Sequence, residues 1–282
     1  RPDASGHEEA ESGMSRVLSI QDLSCVGRCS LTVALPVLSA MGHTCSVLPT
    51  AVLSTHTGFP NPEAVELENR MLPFARHWQA RGISFDALQC GYLATPGQAE
   101  ITEKIAAMFS CPLILDPVLG DDGRFYSRMT PSHARALKRL FPHARVVLPN
   151  VTEAALLTGL PYREAGDEGY WAALTEGLLA LGAGSVILTG ISRDGRDLGW
   201  YFSDGHTVRV QTAPRIPKSC HGTGDLFSAV FTGAFLRGLS APDSAELAAE
   251  FVRRSLDATP TVTPLGVSFE SVLPWLSEQT ER

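Results

Sequence analysis

The sequence predicts an α/β fold: a mostly parallel central sheet covered on both faces by helices. Three observations carry that expectation. Short apolar runs typical of buried strands alternate with stretches of helical spacing along nearly the whole chain. Turn residues punctuate the changes of period. No linker, composition break, internal repeat or low-complexity run divides residues 14–282, so they read as a single domain.

The elements follow in order. Val17 to Ile20 is a buried strand, and the loop Gln21 to Cys29 leads to Ser30, the N-cap candidate of a helix ending at Gly42. Pro36 should bend that helix. Thr44 to Leu53 reads as a second strand, irregular at Pro49, followed by the polar loop Ser54 to Pro60. Pro62 to Gly82 has helical spacing interrupted at Pro73. Ala87 to Tyr92 is strand-like, Pro96 to Phe109 helical, and Pro112 to Leu115 a strand ending at Asp116-Pro117. After the loop Val118 to Tyr126 come a helix at Pro131 to Leu140 and a strand at Arg145 to Leu148. Thr152 to Thr158 is a helix closed by Gly159, Tyr170 to Leu181 another, and Ser185 to Leu188 a strand reaching Thr189-Gly190. Leu198 to Phe202 and Thr207 to Gln211 flank Asp204-Gly205, a strong hairpin signal. Leu226 to Arg237 is apolar on nearly every side, which places it in the core, and Gly238 ends it. Ser244 to Asp257 forms a further helix.

Composition narrows the function. Of 282 residues, 44% are apolar and 19% charged, ordinary for a soluble enzyme with a large core. The net charge of −7, with no basic stripe to offset it, argues against a nucleic-acid partner. The apolar runs fall short of a bilayer span, so no membrane segment is expected. Six scattered cysteines read as thiols of a reducing cytoplasm; Cys25 and Cys29 lack a second ligand pair. Residues 1–13 are polar and acidic, unlike a signal peptide, and read as a disordered leader or a cloning remnant.

The chemistry concentrates at Cys220-His221-Gly222-Thr223-Gly224-Asp225. Gly222 and Gly224 open the first turn of the core helix, where backbone N–H groups lack helical partners and the dipole favours anions. A carboxylate at that mouth repels phosphate unless it has a task. Accepting a proton from an alcohol while the amides hold a transferring phosphoryl group is such a task. The alternative is that Asp225 merely favours a helix start and the glycines make a turn.

In parallel sheets ligands gather beyond the C-terminal strand ends. Asp22, Thr57, Tyr92, Asp116, Asn150 and Thr189 lie at or just after predicted strand ends, so they can converge. Asn150 and Glu153 admit two readings: a capping box, or groups holding hydrated magnesium or phosphate. Asp116, Asp121 and Asp122 form either a solvated acidic turn or a magnesium site completed by substrate phosphate. His56 and His221 read as core or loop imidazoles, and Arg28 and Lys218 flank the site or are surface charge. No Walker motif occurs, and Gly182-Ala183-Gly184 precedes a strand rather than following one, which excludes a dinucleotide fingerprint.

Together these residues resemble the ribokinase-like superfamily and, within it, the pyridoxal/pyridoxamine kinases. Gly222-Thr223-Gly224-Asp225 is the strongest motif. It is joined by Leu18-Ser19-Ile20-Gln21, His56-Thr57-Gly58-Phe59, Gly91-Tyr92, Asp116-Pro117-Val118-Leu119-Gly120-Asp121 and Pro149-Asn150-Val151-Thr152-Glu153. The resemblance covers Met14 to about Leu276. It implies a three-layer α/β/α sandwich and ATP-dependent phosphorylation of the hydroxymethyl group of pyridoxal, pyridoxine or pyridoxamine. Asp225 is then the base, and Gly222, Thr223 and Gly224 cradle the phosphoryl group. Asp116, Asp121, Asn150 and Glu153 face magnesium and phosphate, Thr189 the nucleotide phosphates, and Thr57 and Tyr92 the pyridine ring. Magnesium, a monovalent cation (potassium or sodium) and a homodimer are implied as well. Many pyridoxal kinases have Ser-His after the opening Ile-Gln. Here Asp22-Leu23 follows, as in the pyridoxamine kinase branch, making Asp22 the substitute ring contact.

Three other readings compete. Hydroxymethylpyrimidine kinases share much of this pattern but carry Cys at the position of Asp225, and sugar kinases of the superfamily have N-terminal glycine pairs absent here. A non-catalytic ligand-binding protein would not need the base, anion hole and acidic residues together.

Overall fold

The computed structural model describes residues 14–280, so the reading of residues 1–13 lies outside the described residues. The strands are β1 (Arg16–Ser24), β2 (Thr44–Leu53), β3 (Ala64–Glu66), β4 (Ala87–Cys90), β5 (Leu113–Leu115), β6 (Gly120–Asp121), β7 (Arg124–Phe125), β8 (Ala144–Val147), β9 (Val186–Ile191), β10 (Asp197–Ser203) and β11 (Val208–Pro214). The helices are α1 (Leu31–Ala40), α2 (Glu68–Ala80), α3 (Pro96–Phe109), α4 (Pro131–Leu137), α5 (Val151–Thr158), α6 (Glu168–Leu179), α7 (Thr223–Leu236), α8 (Ala241–Ala258) and α9 (Leu273–Thr280).

Nine strands form the main sheet in the order β11-β10-β9-β8-β5-β4-β1-β2-β3 among the described residues. The run β9-β8-β5-β4-β1-β2 is parallel; β3 and the β10–β11 hairpin close the edges antiparallel. Apolar side chains alternate between the two faces, so the sheet needs a helix layer on each. Leu18, Leu88, Leu113, Val147 and Leu188 pack under α2 to α6, while Val17, Ile114, Val146 and Ile187 pack under α1, α7, α8 and α9. This is the expected three-layer α/β/α sandwich.

A buried polar chain fastens α7 to the sheet. Gln21 donates to Ser19 (2.8 Å), Ser19 to Gln89 (3.2 Å), and Gln89 to Ser228 on α7 (3.2 Å). On its other side α7 lies so close to α1 that a Cβ at Gly233 would stand 2.4 Å from the sulfur of buried Met41. The His43 ring bridges to the Gly233 carbonyl there, at 2.9 Å.

Several expected boundaries move. The first strand runs on to Ser24, so Asp22 sits within it instead of in a loop. The segment expected to be helical from Pro62 splits into β3 and α2. The segment Val118 to Tyr126 is not an open loop: β6 and β7 form a hairpin across Asp122-Gly123, both at positive φ (48° and 73°), a type I′ turn. The helix expected over Pro131 to Leu140 stops at Leu137 and continues as a 3-10 turn. Ser30 does precede α1, but its side chain caps nothing in its own helix.

Candidate active site

The chain places β2 on one side of β1 and β4 on the other, so the crevice between β1 and β4 is the topological switch point. Asp22 near the end of β1 and Tyr92 just after β4 stand there, and both are buried. Among the described residues the Tyr92 hydroxyl has no hydrogen-bond partner, with the Arg128 guanidinium nearby, and burial pushes its pKa up. An orphaned buried phenol fits a group that a bound ligand satisfies.

The N-terminus of α7 opens onto the same crevice. Gly222 is its N-cap, in the left-handed conformation (φ 85°), and a Cβ there would stand 2.0 Å from the Arg28 carbonyl oxygen. Only glycine meets both demands. Gly224, in the first turn, has nothing within 4 Å of where a Cβ would project. The first bond back into the helix comes from Leu226 N–H to the Gly222 carbonyl (3.0 Å), so the Thr223 and Gly224 amides have no helical acceptor. The turn thus leaves two amides without helical acceptors, the arrangement by which the motif would cradle an anion.

Asp225 is half-buried in this turn. The protein crowded around its carboxylate desolvates it, the charge of Asp22 adds to that, and the pKa is pushed up to about 7. Ser30 opposes the shift through its backbone N–H and its hydroxyl. Burial raises the pKa of Asp22 too, opposed by the hydroxyls of Ser30 and Ser24, the latter at 2.8 Å. Neither serine carries a spacing signal that would have exposed its role in the sequence.

Across the cleft, Asp116 lies buried with no hydrogen-bond donor to its carboxylate among the described residues, facing Glu153 and Asp225; its pKa is raised well above the carboxylate range. Glu153 is buried and fully engaged: one oxygen accepts from Leu119 N–H (3.1 Å), the other from Asn150 N–H (2.9 Å). Asn150 returns the bond through Oδ1 and donates through Nδ2 to the Gly120 carbonyl (2.9 Å). The capping-box reading of this pair is therefore realised in full. Asn150 also bridges to Thr189, which bonds the Pro149 carbonyl (3.3 Å), so these two meet at neighbouring strand ends. Asp121 is exposed on the hairpin. Among the described residues no three His, Cys, Asp or Glu side chains form a ligand cluster, so Asp116, Asp121 and Glu153 do not make an all-protein metal cage. An acid-rich cleft with a donor-less carboxylate nonetheless fits magnesium, which takes one or two carboxylates and fills its shell with water and phosphate.

Thr57 stands at the rim. Its loop is held by His56, whose Nδ1 accepts from Gly58 N–H (3.1 Å) and whose Nε2 therefore donates to the Pro264 carbonyl (2.6 Å). The His56 and His221 rings lie 4.7 Å apart, which brings this loop beside Gly222. The flanking cations turn away: Arg28 pairs with Glu270 at 2.5 Å, and Lys218 donates to the Leu256 and Thr259 carbonyls at the end of α8, both at 2.8 Å. Tyr126, on which four carboxylates of the cleft act, went unnoticed in the sequence because the hairpin that carries it did.

This arrangement is that of a ribokinase-like kinase. Residues 37–267 match the family described as phosphomethylpyrimidine kinase. The pyridoxine/pyridoxal/pyridoxamine kinase of Bordetella avium is 30% identical over 263 residues, 86% of this chain and 85% of its own. The pyridoxal kinase of Lactobacillus plantarum superposes with a TM-score of 0.87 at 32% identity, covering 95% of this chain and 98% of its own. A Bacteroides thetaiotaomicron protein named for phosphomethylpyrimidine kinase, in a crystal form with pyridoxal, gives 0.88 at 32% identity over 93% and 95%. The chain belongs to the phosphomethylpyrimidine kinase family, and it is a kinase.

Proposed function

We propose that the chain transfers the γ-phosphoryl group of ATP to the hydroxymethyl group of pyridoxal, pyridoxine or pyridoxamine, giving the 5′-phosphate. The observation that carries this reading is Asp225: a carboxylate, not a thiol, at an open helix N-terminus, with its pKa lifted to about 7. A base poised near neutrality takes the proton of the attacking hydroxyl as that oxygen bonds to phosphorus and the bond to ADP breaks. The Thr223 and Gly224 amides stabilise the charge on the transferring group. Asp22, Thr57 and Tyr92 line the ring site, and Asn150 and Thr189 border the nucleotide phosphates. Magnesium, when bound, neutralises phosphate charge. Asp116, whose carboxylate has no donor among the described residues, would hold it, with Asp121 and Glu153 lending further negative charge on that side of the cleft.

The relatives named for pyridoxal, pyridoxine and pyridoxamine kinases support the substrate class. The implied monovalent cation and homodimer belong to the same reading, checked by activity in potassium, sodium and choline salts and by sedimentation. The deciding experiment is ATP consumption with pyridoxal, pyridoxine, pyridoxamine and hydroxymethylpyrimidine in turn. Turnover with the pyridine alcohols is expected; turnover with hydroxymethylpyrimidine alone would hand the chain to the pyrimidine branch. No consumption with any of the four would favour a binding protein.

A further inference from the structure

We infer that His56 is a positioning residue: its imidazole ties the loop that carries Thr57 to the segment that braces the α7 turn, so that filling one half of the site favours filling the other. The inference rests on the proposed placing of a pyridine alcohol beside Thr57 and of phosphate at α7.

Four connections meet around this ring: residues 25–30 after β1, 54–63 after β2, 215–222 before α7 and 259–269 after α8. His56 is 5% exposed, and backbone encloses it. A Cβ at Gly27 would stand 2.4 Å from its Cδ2, and one at Gly58 2.7 Å from its Cε1. Phe59 meets the ring edge-on at 4.9 Å between centroids, and His221 lies tilted against it at 4.7 Å. A ring without nitrogens would fill the same space. Both nitrogens are nevertheless in use, and for different ends. The bond from Gly58 N–H to Nδ1 (3.1 Å) stays within the loop and only shapes its turn. The bond from Nε2 to the Pro264 carbonyl (2.6 Å) crosses to a segment 208 residues away. Among the described residues no other hydrogen bond joins residues 54–63 to residues 259–269.

Pro264 opens a short stretch bound through its backbone to the α7 turn. The Leu265 carbonyl accepts from Arg28 N–H (2.9 Å), and Val267 N–H donates to the His221 carbonyl (3.1 Å). Gly266 sits between them at φ 91°, where a Cβ would stand 2.9 Å from the His221 carbonyl oxygen and 3.1 Å from that of Arg28. The Arg28 carbonyl oxygen is also the atom on which Gly222 packs. Residues 56, 264–267, 28, 221 and 222 thus form one connected set of tight contacts from the ring loop to the phosphoryl turn. Such a set is what carries coupling between two sites. The Nε2 bond is its single side-chain link, and it touches neither substrate.

The test measures, by calorimetry, the affinity for a non-hydrolysable ATP analogue with magnesium, in the presence and absence of pyridoxine. Wild type, His56→Asn and His56→Gln are compared, beside kcat and thermal midpoint. Asparagine can accept from Gly58 N–H but is too short to reach Pro264; glutamine places a donor where Nε2 stood. Wild type should bind the analogue about 5-fold or more tightly when pyridoxine is present. His56→Asn should bind each ligand alone within about twofold of wild type, lose that gain, and turn over about 3- to 10-fold more slowly, the worth of one hydrogen bond. His56→Gln should keep most of the gain. Wild-type synergy in His56→Asn overturns the inference. Equal loss in both variants does so too, because the bulk of the ring would then be the agent. Failure of both variants to fold makes His56 a residue of the core and overturns it as well. A wild type that phosphorylates pyridoxine without synergy overturns the inference and spares the proposed function. A wild type that neither binds nor phosphorylates any pyridine alcohol overturns the proposed function itself.

Discussion

The Asp22 carboxylate is buried beside Asp225, and its charge helps lift the Asp225 pKa. Under the proposed reaction, its place at the switch point would give a cationic aminomethyl group a charge-assisted hydrogen bond. Asp22→Ser should therefore lower kcat/KM for pyridoxamine more than for pyridoxine; equal losses would remove Asp22 from substrate choice. Glu153 teaches a different lesson. A glutamine serves a capping box as well as a glutamate, so the sequence makes Glu153→Gln look innocent. Both Glu153 oxygens accept backbone N–H bonds, however, and an amide has only one such oxygen. Urea unfolding should show Glu153→Gln destabilised by about 1–3 kcal/mol. Unchanged stability with a raised magnesium requirement would return the residue to the metal. At this scale Asp225 and Asp116 were legible because acidic residues at strand and helix ends have few ordinary uses. Ser24 and Ser30 were not, since a lone serine acquires meaning only from what folds next to it.

Two glycines of the α7 turn separate packing from chemistry. At Gly222 a Cβ would strike backbone, the Arg28 carbonyl, and φ is positive; at Gly224 a Cβ would enter open space in an ordinary helical turn. Gly222→Ala is thus expected to lose stability along with activity. Gly224→Ala should keep or raise Tm, since alanine favours a helix by up to about 1 kcal/mol over glycine, while its methyl obstructs the phosphoryl site and raises KM for ATP. Thermal melts and steady-state kinetics on the two variants check this; a destabilised Gly224→Ala would contradict the open turn. Among whole elements, long ones were legible. Thr44–Leu53 and Pro96–Phe109 stand where their apolar spacing put them, and the Asp204-Gly205 hairpin formed, its turn held by Asp204 Oδ1 at 2.9 and 2.6 Å from two amides. Asp122-Gly123 carries the same dipeptide signal, but β6 and β7 are two residues each and too short to show a period. β3 was hidden for the same reason, its three residues merging into the helical spacing that follows.

Across the whole molecule, the raised carboxylates tie stability to pH. A folded-state pKa above the unfolded one means the native state binds more protons, so stability falls as pH rises through the folded value. Asp225, at about 7, gives such a fall, and Asp22, Asp116 and Glu153 act in the same direction. His43 and His221, with lowered pKa, act oppositely, but their contribution is complete by about pH 6.5, the unfolded histidine value. The ligand-free protein should lose stability from about pH 6.5 upward, and magnesium with ATP should restore part of it; denaturant titrations at successive pH values check both. A stability that climbs over that range would mean the cleft carboxylates are ionised at little cost. Sheet order was the part of the fold that residue patterns left open. Period and apolar runs define strands one at a time, whereas the neighbourhood of β1 and β4, which makes the crevice, depends on pairings between distant segments.

The central claim is that the Asp225 carboxylate deprotonates the alcohol. Asp225→Asn keeps the shape and an accepting oxygen and removes the basicity, so the direct measurement is its kcat with a pyridine alcohol, set beside calorimetric affinity for an ATP analogue. A fall of about 10² to 10⁴ in kcat, with binding of the analogue retained, is expected. Turnover near the wild-type rate would show that the proton leaves by another route and that Asp225 is not the base.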